Sequence, residues 1–176
     1  MRMKLATMLA ALALVPGGLA FASPASAASA DTSLLSCPLG TQNTHYTPGL
    51  TQATRPTSFR SDGVVGACVD LSGHGIAGAA YTITGQGTAG CLESNLAPTT
   101  VINWSNGQSS TTKGTLTIQA KPNGTSVVIT QSKVVSGEFV GSTVTQTIVL
   151  TSVDLLACLT PTGLTDTSGP VTLTVT

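Results

Sequence analysis

Charged and aromatic side chains are scarce in this chain. Of its 176 residues, 8% are charged and 3% are aromatic. Residues 31–176 hold five basic and seven acidic residues, with the two signs intermixed. Nucleic-acid binding needs a basic patch, and binding to an anionic membrane needs a polybasic segment. The sequence contains neither, so we expect no nucleic-acid partner and no attachment to anionic lipid.

Long apolar runs are also missing after residue 30. A membrane-spanning helix needs about 18 or more consecutive apolar residues, and residues 31–176 contain no such run. Helix signals as a whole are nearly absent, whereas Thr, Ser, Gly and Val are abundant. This composition predicts a β-protein without a membrane span, whose surface carries hydroxyl groups more than ions.

Catalytic and metal-binding motifs are lacking as well. The chain has two histidines. His74 follows Asp70 by four residues and has serines nearby, but flanking glycines favour a solvated loop tip over a Ser/His/Asp site. His45 and His74 with an aspartate could bind a metal, although no spacing specifies this. No two acids form an evident glycosidase pair. We therefore expect no enzyme activity, no cofactor and no metal.

What is present begins with an export signal. After a positive start, an apolar run covers residues 5–21 and small residues follow. This is the pattern of a secretory signal peptide, and the A-x-A rule allows cleavage after Ala27 or Ala30. The second cut defines residues 1–30 as the signal peptide and 31–176 as a single secreted domain, which places the protein outside the cell.

All four cysteines lie beyond the predicted cut. Export and an even cysteine count predict disulfides, and four cysteines allow three connectivities. We favour Cys37–Cys68 with Cys91–Cys158. The first pair would tie the N-terminal strand to the third candidate strand, and the second would hold the loop-like stretch 152–170 against the middle of the chain. The spacings match neither a redox motif nor a zinc knuckle.

Short strands with alternating polar and apolar residues fill the domain. The clearest are residues 115–120, 143–151 and 171–176. Further candidates are residues 126–131 and 101–104, with weaker ones at 44–47, 57–60, 64–69 and 79–84. About eight or nine such strands predict an antiparallel β-sandwich with immunoglobulin-like topology, with a closed barrel as the runner-up.

Turn motifs order the second half of this sheet. Asn106-Gly107 predicts a type I′ hairpin, because both residues tolerate positive φ. Pro122-Asn123-Gly124 and the stretch 137–141 predict the next two reversals. Together they make a four-stranded meander over residues 100–151. Trp104, next to the first turn, is expected in the core rather than on a partner-facing surface, and residues 154–158 are expected to form a short helical turn.

Several short pieces follow one another in order along the domain. They are Cys37 with residues 41–50, Gly66-Ala67-Cys68, Trp104-Ser105-Asn106-Gly107-Gln108, residues 136–141 and Ala157-Cys158-Leu159. Together with the signal ending, these pieces resemble a family of small secreted actinobacterial β-proteins. The resemblance implies a disulfide-linked immunoglobulin-like sandwich without catalytic residues. Some similar proteins are bridging subunits of umbrella-shaped toxin particles, in which an extended N-terminal segment of the bridge inserts into a lectin-like partner. Here the matching segment would be Asp31 with Leu34 and Leu35.

These observations favour a secreted, non-catalytic module that binds another secreted protein, such as a bridging component of an extracellular toxin complex. One alternative is an inhibitor of a hydrolase that presents the loop around Cys91-Leu92-Glu93 or the loop before Cys158. A second alternative is a surface or structural protein of the cell envelope. Partner identity and oligomeric state are left open by the sequence.

Overall fold

The computed structural model describes residues 33–120, 126–150 and 156–176, which form ten β-strands and one short 3₁₀-helix. The predicted signal peptide and the predicted turn at Pro122-Asn123-Gly124 lie outside these residues. The strands are β1 Leu35–Cys37, β2 Leu39–Leu50, β3 Arg55–Gly66, β4 Val69–Asp70, β5 Ala79–Ala89, β6 Ser94–Trp104, β7 Ser109–Ala120, β8 Ser126–Gly137, β9 Thr143–Leu150 and β10 Leu164–Val175, and the 3₁₀-helix is Ala157–Leu159.

Eight of these strands form a closed antiparallel barrel, in the order β2-β3-β5-β6-β7-β8-β9-β10. The barrel closes where β10 pairs with β2, from Leu164 opposite Leu50 to Pro170 opposite Thr41. The predicted immunoglobulin-like sandwich is therefore wrong, and the closed barrel is the observed fold. A sandwich keeps two sheets with open edges, whereas this first-to-last pairing removes the edges altogether.

The two shortest strands extend the wall at one end of the barrel. β1 pairs on one side with the end of β10, where Cys37 lies opposite Leu173, and on its other side with β4. Pro38 separates β1 from β2, and both strands run antiparallel to β10 along the same edge of it. The N-terminal residues of the described domain are thus built into the sheet.

Alternation along each strand decides which side chains fill the barrel. On β10, Val171, Leu173 and Val175 point inward and are buried, while the residues between them are more exposed. Trp104 is also buried, which confirms the prediction that it belongs to the core. The same period of two repeats on β5, β6, β8 and β9.

A chain of hydrogen-bonded polar side chains lies inside the barrel and connects β2, β3 and β5. The Tyr81 hydroxyl donates to Gln42 Oε1 at 2.9 Å, and Gln42 Nε2 donates to Thr44 Oγ1 at 3.1 Å. Thr44 Oγ1 lies 2.7 Å from Ser61 Oγ. Gly63 leaves room for the Tyr81 ring, because a Cβ on Gly63 would lie only 2.4 Å from it. Burial raises the pKa of Tyr81, so its hydroxyl stays protonated as a donor.

The space left inside the barrel is small. The cavity between these polar groups and the apolar side chains of Phe59, Ile83, Leu116 and Ile148 measures about 20 Å³. That is room for about one water molecule. The interior is therefore a packed core.

Two of the predicted reversals are observed. At Asn106-Gly107, Trp104 N–H donates to the Gln108 carbonyl at 2.9 Å and closes the hairpin. The predicted turn type is wrong, because Gly107 has positive φ and Asn106 does not; the loop has three residues with glycine in the left-handed position. The reversal at 137–141 uses positive φ at Gly137, Phe139 and Gly141.

Each end of the barrel carries one disulfide, and both preferred pairings are confirmed. Cys37–Cys68 joins β1 to the residue before β4. Cys91–Cys158 joins the β5–β6 connection to the 3₁₀-helix at the opposite end. This helix, Ala157–Leu159, overlaps the predicted helical turn, of which residues 154 and 155 lie outside the described residues.

Candidate functional site

The N-terminal segment predicted to meet a partner is used within the fold. Leu35 is 0% exposed in β1, and Leu34 packs against the core while its N–H donates to the Val175 carbonyl at 2.8 Å. Asp31 lies outside the described residues. Partner binding by this segment stays a prediction, and in this conformation Leu35 could take part only if β1 left the sheet.

A polar cluster on the outer wall holds a large share of the charge. We define the outer cluster as His45 on β2, Arg60 and Asp62 on β3, Thr82 on β5 and Asp166 on β10. Asp166 lies opposite His45 and His45 opposite Arg60, which makes one row across three strands. Asp62 lies opposite Thr82 in the neighbouring row. These side chains all point outward because side chains alternate along each strand, and the register of the strands places them next to one another.

Hydrogen bonds hold the outer cluster in one arrangement. Arg60 donates to both carboxylate oxygens of Asp62, at 3.0 and 2.9 Å, and the Thr82 hydroxyl donates to Asp62 at 2.7 Å. These bonds, from Thr82 first and then Arg60, lower the pKa of Asp62. His45 Nδ1 lies 2.8 Å from Asp166 Oδ1, and this contact lowers the pKa of Asp166.

All residues of the outer cluster except Thr82 line an open groove of about 550 Å³ together with Asn43 and Ser168. Its walls are amide, hydroxyl, imidazole, guanidinium and carboxylate groups. Such a surface can exchange hydrogen bonds and paired charges with a polar partner. It holds three of the nine Asp, Glu, Lys and Arg side chains in the described part of the chain.

The second histidine lies at one end of the barrel. His74 Nδ1 contacts Glu138 Oε1, and the His74 ring packs 5.2 Å from the ring of Phe139. Phe139 in turn packs edge-on against Trp104 at 5.5 Å. Ser110 Oγ accepts a hydrogen bond from Trp104 Nε1–H at 2.8 Å and donates to the Glu138 carbonyl. These contacts around His74 join the 70–78 loop to the 137–141 turn.

Asp70 has a different role from the one a Ser/His/Asp site would require. Its carboxylate accepts the backbone N–H of Ile76 at 3.0 Å and that of Ser72 at 2.9 Å. These bonds, Ile76 first, lower its pKa to about 2. The carboxylate that contacts His74 is that of Glu138. No motif in the sequence indicates Glu138 as the partner of this histidine.

The two histidines are on different parts of the barrel. His45 belongs to the outer wall of β2, and His74 belongs to the loop before β5. Across residues 33–120, 126–150 and 156–176, no group of three His, Cys, Asp or Glu side chains is placed to hold a metal ion.

The end that carries Cys91–Cys158 presents exposed leucines. Leu92 is 64% exposed, Leu156 74% and Leu159 61%. The disulfide links the two loops that carry them, and Cys91 N–H donates to the Thr51 carbonyl at 2.9 Å. The candidate inhibitory loop around Cys91-Leu92-Glu93 therefore lies at the same end of the barrel as residues 156–158 of the second candidate loop, whose residues 151–155 lie outside the described residues.

No helix in the described residues is long and apolar enough to cross a membrane. Comparison of the chain with protein families, with curated proteins and with solved structures finds no match.

Proposed function

We propose that this is a secreted, non-catalytic module that binds another secreted protein through its outer wall. The predicted signal peptide and the two disulfides support an oxidising, extracellular location. The resemblance to bridging subunits of toxin particles stays a prediction within this proposal, because no match tests it.

One observation carries the proposal: the barrel interior is packed, with a cavity of about 20 Å³. A substrate or ligand pocket of ordinary size takes about 300 Å³ or more. Recognition must then use the outside, where the outer cluster of His45, Arg60, Asp62, Thr82 and Asp166 is a preorganised polar surface. Bound protein partners commonly meet surfaces of this kind at the interface rim, where charge sets specificity.

The test is affinity capture from the medium of the producing organism, with the oxidised protein as bait. We expect one secreted protein in stoichiometric amount. The matched variant is Arg60→Glu, which reverses one charge and breaks the pair with Asp62. Exposed ion pairs contribute little to stability, so this variant should fold like the unaltered protein.

The control is Lys133→Glu, which makes the same charge change on β8, away from the outer cluster. Captured partner should fall about tenfold with Arg60→Glu, a loss of about 1.4 kcal/mol, and stay unchanged with Lys133→Glu. Capture of no protein in any culture condition, or equal capture by both variants, would contradict binding through this surface.

The inhibitor alternative has its own observation. Leu92 and Leu159 are exposed on two loops that the Cys91–Cys158 disulfide clamps together. Rigid loops lose little entropy on binding and suit inhibition of a hydrolase. A panel of secreted proteases and glycosidases tests this reading: inhibition that Leu92→Asp removes, and Val135→Asp on β8 does not, would replace the assembly proposal.

A further inference from the structure

One ladder of the barrel stops before its strands end. β5 and β6 pair along their whole length, from Ala79 opposite Trp104 to Ala89 opposite Ser94. β6 and β7 pair only from Thr99 opposite Lys113 to Asn103 opposite Ser109. Residues 95–98 and 114–117, all within the described part of the chain, stay side by side without pairing.

Pro98 supplies the physical reason. Trp104 donates its N–H to Gln108 at the β6–β7 hairpin, so every second residue before it on β6 faces β7. Pro98 is one of these residues, and it has no N–H to donate. A proline within a sheet is tolerated at an edge or a bulge, because it removes a ladder bond. The ladder ends at this position.

Beyond Pro98 the two strands face each other without ladder pairing. The last pair, Thr99 opposite Lys113, is closed by the Gly114 N–H on the Pro98 carbonyl. By the same alternation, the N–H and C=O of Leu96 point toward β7 and those of Leu116 point toward β6, and these two residues are not paired. We call this the seam: residues 94–98 of β6 and 114–117 of β7. The Ser94 hydroxyl oxygen is buried there without a partner among the described residues.

Side chains at the seam have an apolar inner face and a polar outer face. Leu96 points inward and is buried, while Leu116 lines the interior cavity but stays partly exposed. Asn95, Ala97, Thr115 and Thr117 lie outward and exposed. A strand with alternating apolar and polar residues would match both faces.

We infer that the seam is a strand-acceptor site, at which an extended segment of a partner protein pairs with the Leu96 backbone of β6. This inference rests on the proposed function and adds a second surface to it. The occupant has to be an extended polypeptide, because the unpaired groups of Leu96 are a backbone donor and a backbone acceptor on one strand edge. Its insertion would widen the wall by one strand, about 4.8 Å.

Hydrogen exchange read at single amides tests the seam itself. In the oxidised protein, the amides of Leu96 and Leu116 should exchange about 100-fold or more faster than those of Ile102 and Thr112 on the same strands, since local opening exposes them. Equal protection at both sets would overturn the inference, because the seam would then be a closed ladder.

Binding is tested with a peptide that has the sequence of residues 113–120, which contains the natural neighbour of β6. It should bind and slow exchange at the Leu96 amide, whereas a scrambled peptide should not. A covalent lock across the seam, Ala97→Cys with Thr115→Cys, should abolish this binding. The matched lock Val101→Cys with Thr111→Cys lies in the paired region and should leave it unchanged.

The two proposals fail separately. If both locked variants bind the peptide equally, or neither the peptide nor the captured partner protects Leu96, the strand-acceptor site is refuted. Capture of a partner that Arg60→Glu reduces and the seam lock does not would leave the outer wall as the binding surface and remove the seam. A double-serine variant at 97 and 115 separates the crosslink from the substitutions.

Discussion

The hydrogen bond from Tyr81 to Gln42 links β5 to β2 across β3, inside the barrel. We predict that the single substitutions Tyr81→Phe and Gln42→Leu each destabilise the fold, and that the double substitution costs less than their sum. The reason is that each single variant leaves one buried polar group without its partner, whereas the double variant leaves neither member of the pair.

The magnitudes follow from the contacts. Tyr81→Phe removes the donor to Gln42 Oε1 and should lower the free energy of unfolding by about 1–2 kcal/mol. Gln42→Leu strands the Tyr81 hydroxyl and also removes the N–H donor to Thr44, so about 2–3 kcal/mol is expected. Thr44 keeps its bond to Ser61 in the double variant. The coupling energy should therefore be about 1–2 kcal/mol.

The assay is equilibrium unfolding in urea with the disulfides intact, on all four proteins of the cycle at one pH. Because burial raises the pKa of Tyr81, its hydroxyl is protonated at both pH values. The coupling energy should therefore be about the same at pH 6 and pH 8. Strictly additive effects, within about 0.5 kcal/mol, would refute the view that this bond joins the strands inside the barrel.

Three further predictions concern other parts of the fold. The pKa of Asp70 is about 2 in the folded protein and about 3.9 in the unfolded chain. The contribution of Asp70 to the free energy of unfolding is therefore complete above about pH 3.9 and is lost as pH falls through about 2. Asp70→Asn should flatten acid unfolding curves over this pH window. Replacing Cys91 and Cys158 by serine opens a loop of 67 residues and should cost about 4 kcal/mol in urea unfolding. Gly63→Ala forces a Cβ against Tyr81 and should lower the melting temperature measurably, while Gly66→Ala, where the space is open, should not.

The strands could be predicted from the sequence because alternation is local, but the barrel could not. Outward and inward residues alternate identically in a sandwich and in a barrel. The difference lies in one pairing, between residues 164–170 of β10 and 41–50 of β2, which are far apart in the chain. Only residues 101–104 of β6 were predicted as a strand, and the first part of β6 contains Pro98, a residue that argues against the interior of a strand.

The outer cluster could not be found from the sequence either. His45, Arg60 and Asp166 come from three strands, and only register places them in one row. His74 was correctly identified as a loop residue, but its carboxylate partner Glu138 comes from a turn 64 residues later. By contrast, the disulfide pairs were predicted, because the favoured pairing ties the N-terminal strand to a nearby candidate strand and holds a long connection against the middle of the chain.

The two proposed surfaces lie on different strands of the wall: the outer cluster is on β2, β3, β5 and β10, and the seam lies between β6 and β7. No residue belongs to both surfaces, so each can be altered without changing the residues of the other. If one subunit joins two partners in this way, the effects must be independent. Arg60→Glu should then reduce capture equally in the unlocked protein and in the protein locked at 97 and 115, and the two losses, expressed as free energies, should add within about 0.5 kcal/mol. Loss of additivity would mean that a single partner spans both surfaces, which would make the protein a receptor for one chain rather than a bridge between two.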